Sequence, residues 1–252
     1  MNRWLSVPLV VGVTGHCDVL DVAAVSKRLD DFFLAIAKEA RTDVPVILLS
    51  SLAEGADRLF VKIGLEVLRR SGCDVSFQFV EPFGGYEMDF SGESLDEFKG
   101  LKSSASAVVE LCHGRHSGLC GSEVKTTKGL LKDIRSHRYF LAGAYIRMNS
   151  DVVVAVWDGR DSEAGFCSGG TSDVVNYCLF PEEYQFGEYM RGRLGTTLVW
   201  HIRSDRRVVK GRAYFEDDGG VPVRALWRGS CRRGGVGWGP ERLADAGRRS
   251  ND

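Results

Sequence analysis

The feature that most constrains this chain is a set of short aliphatic runs that are apolar at nearly every position. They are Val7–Val13, Val44–Leu49, Val75–Val80, Ala107–Leu111, Asp151–Trp157 and Thr196–Ile202. A strand with one face in water alternates apolar and polar residues, whereas a nearly continuous run suits a strand covered on both faces. Amphipathic stretches separate the runs. Asp21–Arg41 sets Val22, Val25, Leu29, Phe32, Phe33, Ile36 and Ala40 at helical spacing, and Glu54–Arg70 does the same with Leu59, Ile63, Val67 and Leu68. Ser94–Ser104 reads as a short helix, Leu130–Met148 as a long one, and Gly170–Leu179 as a further helix start. Strand and helix in alternation predict an α/β fold, a doubly wound, mostly parallel sheet of Rossmann-like type with helices on both faces.

Composition narrows the function classes. The 252 residues fit a domain over 1–205 and a C-terminal extension over 206–252. A net charge of −1 gives no bulk attraction to nucleic acid or to an anionic membrane. No run reaches the length of a membrane span, and the opening stretch "MNRWLSVPLVVGVTGH" reads as a strand without a signal-peptide cleavage pattern. Seven cysteines with no C-x-x-C, among them Cys17, Cys73, Cys112 and Cys178 in or beside expected core elements, suit reduced buried thiols in a cytoplasmic protein. In the extension, Val208–Phe215 reads as a β-arm or edge strand. From Gly219 onward seven arginines face three acids, a Gly/Arg-rich tail in which Trp227 and Trp238 leave open a contact with a partner.

In an open parallel sheet, ligands bind beyond the carboxyl ends of the strands, so the following loops carry the chemistry. The first, "GVTGHCD", offers the Thr14 hydroxyl, a turn at Gly15, and His16 as a donor to phosphate or ribose. The second, "LLSSLAEGADRLF", stops a buried run on Ser50 and Ser51. Ser51 and Glu54 stand three apart, the capping-box spacing, and Gly55 in a first turn suggests close approach of another group. Asp57 is then a partner for a ribose hydroxyl or for an internal hydrogen bond. The third, "VEPFGGYEMDF", places Phe83 and Tyr86 beside two glycines, where an aromatic face can cover a base. In the fourth, Asp158 ends a strand, and Gly169, Gly170, Thr171 and Asp173 open a helix. Free amide groups at such helix tips suit a phosphate, so a nucleotide-type ligand is expected and no separate cofactor is called for.

Taken together, "GVTGH", "LLSSLAEGADRL", "PF…Y…DF", "DVVVAVWDG" and "GGTSDVV" resemble the SLOG superfamily, named for the DNA-processing Smf/DprA proteins and the LOG enzymes. The resemblance covers roughly Leu5 to Ile202 and is closest to the stand-alone and TIR-associated sensors. It implies a Rossmann-like fold that binds a nucleotide or nucleotide-derived signal in bacterial defence, as a homodimer or higher homo-oligomer that can act on an effector protein. LOG enzymes instead split a nucleoside monophosphate into base and ribose 5-phosphate. Here the position of the LOG glutamate is Val174, with Asp173 one residue early, and Cys17 stands where the sensors often carry Arg. Binding is therefore expected over hydrolysis. Glu54 and Asp173 are the candidate acids should the chain be a nucleotide N-glycosidase. A DprA-like role on nucleic acid is not expected, since no basic stripe lies outside the tail. One further cluster, Cys112, His113, His116 and Cys120 within nine residues, has the donor number of a zinc site but not a standard finger spacing, so no metal is expected.

Overall fold

The computed structural model describes residues 7–40, 44–111, 130–160, 170–181, 197–205 and 223–226. Strands β1 (Leu9–Gly15), β2 (Val46–Ser50), β3 (Val75–Glu81), β4 (Ala107–Glu110), β5 (Val152–Trp157), β6 (Leu198–Arg203) and β7 (Val223–Leu226) form one sheet in the order β4-β3-β2-β1-β5-β6-β7. Six are parallel, and β7 pairs antiparallel with β6. Helices α1 (Val22–Ala40), α2 (Ala56–Arg70), α3 (Gly92–Ser103), α4 (Leu130–Asn149) and α5 (Thr171–Leu179) cover it, with a short 3-10 turn at Tyr86–Asp89.

The aliphatic runs are strands because both faces are roofed. On β1 and β2, Val11, Val13, Val46 and Leu48 face α1 and α2 in one core that also takes Phe33, Phe60, Phe77 and Phe79. Each of these phenylalanines is almost wholly buried and contributes about 2 kcal/mol or more in area removed from water. The alternate residues Leu49 and Val80 pack against Ala142 and Ile146 of α4. Val153, Ala155 and Trp157 of β5 pack against Val175, Cys178 and Leu179 of α5. Thus α1, α2 and α3 lie on one face, α4 and α5 on the other. Gly12 in mid-β1 lets α4 settle closely, since a Cβ there would lie 2.5 Å from Ile146 Cγ2.

The doubly wound, mostly parallel fold expected from the sequence is the observed one. Two local expectations differ. Helix α2 begins at Ala56, two residues later than the pattern suggested. Strand β7 lies inside the stretch read as a Gly/Arg-rich tail, where four residues pair along β6. The Val208–Phe215 arm, Trp227 and Trp238 lie outside the described residues. Among those described, no helix is long and apolar enough to cross a membrane.

Candidate functional site at the strand ends

The order of the strands reverses between β1 and β5. Chain leaving β1 enters α1 on one face, while chain leaving β5 leads to α5 on the other, so the two loops part at their carboxyl ends. Such a divergence leaves a crevice where ligands of open α/β sheets bind.

His16 crosses this divergence. Its backbone N–H donates to the Val156 carbonyl at 2.9 Å. Its ring Nε2 accepts from the Asp158 N–H at 3.0 Å and lies 3.2 Å from Asp158 Oδ1. Asp158 Oδ1 also accepts the Arg160 N–H at 3.1 Å. Thr14 and His16 are both more than nine-tenths buried. The Gly15 position is crowded by protein: a Cβ there would lie 2.4 Å from the Ala56 methyl and 2.8 Å from the Val156 carbonyl. Gly15 therefore allows α2 to approach the end of β1.

The α2 tip is organised differently from the sequence expectation. The Ser51–Glu54 capping box does not form, because the N-cap residue is Gly55 and no side chain caps the helix. Glu54 is exposed and accepts a hydrogen bond from the Ser94 hydroxyl. The first helical amide, from Ala56, donates to the His16 carbonyl at 3.1 Å. Asp57 turns back over the loop and accepts from Ser50 Oγ at 3.0 Å and the Ser51 N–H at 3.2 Å, with the Ala53 N–H a further donor. Ser50 Oγ in turn accepts from the Leu52 N–H. Of the two roles open for Asp57, the structure has the internal one. Gly55, at φ 74°, is required because a Cβ would meet the carbonyl oxygens of Cys17 and His16 at 2.4 and 2.6 Å. The serines and the acid thus tie the loop before α2 to its first turn, while Gly55 lets the α2 tip lie against the loop after β1, where the His16 carbonyl takes the Ala56 amide.

Burial pushes the Asp57 carboxyl up to about 7 against the pull of these hydrogen bonds and of Arg58. Nearby Tyr86 is held well above its ordinary range by burial and then by Asp57. Cys17 is exposed as a residue, contrary to the expected buried thiol, while Cys73 and Cys178 are buried. Burial of the sulfur and the carboxylates of Asp57, Glu54 and Asp18 push the Cys17 thiol up to about 11.

The third loop is closed on itself. Tyr86 and Phe83 pack edge-on at 5.5 Å, and both contact Tyr139 of α4. Tyr86 is 3% exposed, so its ring faces neighbours and is not presented to cover a base. Arg135 and Tyr139 both donate to Asp89, pinning the loop to α4.

At the fourth loop, Gly170 is the extended N-cap of α5, with no side-chain cap, and is exposed. Thr171 is half-buried, and Ser172 and Asp173 are buried in the first turn. Gly169 lies outside the described residues, as do Cys112, His113, His116 and Cys120. The structure therefore groups the predicted residues in three places. Thr14, Gly15, His16 and Asp158 meet at the β1–β5 divergence. Ser50, Ser51, Gly55 and Asp57 form the adjoining entry to α2, with Tyr86 against it. Gly170, Thr171 and Asp173 open α5 on the opposite face.

Sequence reasoning missed Arg58. It is 2% exposed, donating from Nε to the Leu52 carbonyl at 3.1 Å and from Nη1 to the Ser94 carbonyl and hydroxyl and to Glu97. Leu52 itself sits at φ 54°, a costly conformation for a branched residue, held at its N–H by Ser50 and at its carbonyl by Arg58. A signal existed: Arg58 falls on the buried helical stripe of Val61, Leu65 and Leu68. Comparison with protein-family models and with curated proteins found no match.

Proposed function

We propose that the chain is a SLOG-like sensor that binds a nucleotide or nucleotide-derived signal at the β1–β5 divergence without cleaving it. The observation that carries this reading is the reversal of strand order between β1 and β5, with α5 starting at a glycine N-cap that has no side-chain cap among the described residues. The phosphate lies on the Gly170–Thr171 amides rather than on α2, whose first amide is taken by His16. Thr14, His16 and Asp158 line the opposite wall. Binding is favoured over hydrolysis because Glu54 is tied to Ser94 and Val174 stands at the position of the LOG glutamate. The resemblance in the loops adds a cytoplasmic homo-oligomer that passes its signal to an effector protein in bacterial defence.

A thermal-shift screen against nucleoside monophosphates, cyclic dinucleotides and ADP-ribose-type compounds tests this, since a ligand that binds only the folded state raises its apparent stability by mass action. Gly170→Val, at φ −86° where a side chain fits the backbone, is expected to remove the shift while leaving the unliganded melting temperature within a few degrees. Release of free base at enzyme-like turnover would overturn the sensor reading in favour of a nucleotide N-glycosidase.

A further inference from the structure

We draw no further inference here: the strongest candidate, the open edge of the sheet at β4, where Ala107, Val108 and Glu110 stand exposed, carries none because nothing in the structure shows what covers it.

Discussion

Asp57 and Gly55 show what single residues decide here. The folded Asp57 carboxyl is raised from 3.8 to about 7, so the folded state holds a proton that the unfolded chain releases near 4. Its contribution is fully present at acidic pH and is lost as pH rises towards 7, by up to about 1.4 kcal/mol per pH unit. Urea midpoints of the wild type are expected to fall between pH 5 and pH 7.5, and Asp57→Asn is expected to flatten that slope. An unchanged slope in the variant would remove Asp57 as the cause. Gly55→Ala would force a Cβ against two backbone oxygens at positive φ, and a loss of about 2 kcal/mol or more is expected by urea unfolding. Gly100 in α3 is the contrast: a Cβ there meets nothing within 4 Å, and Gly100→Ala is expected to stabilise by up to about 1 kcal/mol.

At the level of elements, α3 is held to α2 through Arg58. Its guanidinium joins Leu52, Ser94 and Glu97, and its Cζ lies 4.5 Å from the centre of the Phe90 ring. Arg58→Met keeps the apolar stem but leaves buried carbonyls without donors. A loss of about 2–4 kcal/mol is expected, with faster hydrogen exchange in Gly92–Ser103 and little change in β1 and β5. Equal acceleration everywhere would show that Arg58 supports the whole fold and does not hold one helix. The elements themselves were largely legible in the sequence, because two-sided burial writes unbroken Val, Ile and Leu runs, and helices write a 3.6-residue stripe. The site was less legible. Ser51–Glu54 has capping-box spacing, yet Asp57 captured the loop donors first. Gly15 and Gly55 are demanded by close approach, and a sequence does not say whether ligand or backbone is approaching; here the crowding atoms are Ala56, Val156, His16 and Cys17. Tyr86 is aromatic beside glycines, but Phe83, Phe90, Phe98 and Tyr139 claim its ring. Strand β7 went unseen because four residues in a Gly/Arg-rich stretch carry too short a pattern.

For the molecule as a whole, the sheet order has a consequence for how the chain is divided. Among the described residues, those up to 111 build the β4-β3-β2-β1 side with α1, α2 and α3, and those from 130 onward build β5-β6-β7 with α4 and α5. In the order of the described elements the chain changes sides once. Their shared boundary is the β1–β5 ladder, from Val11↔Val152 to Gly15↔Val156, reinforced by α4 against Leu49 and Val80. Two polypeptides cut between 111 and 130 are thus expected to reassemble when co-expressed, and to co-purify as a one-to-one pair. Since the proposed ligand lies along that boundary, it would act as an adhesive between the halves: its presence should slow their dissociation, turning a bound signal into the joining of two separate chains.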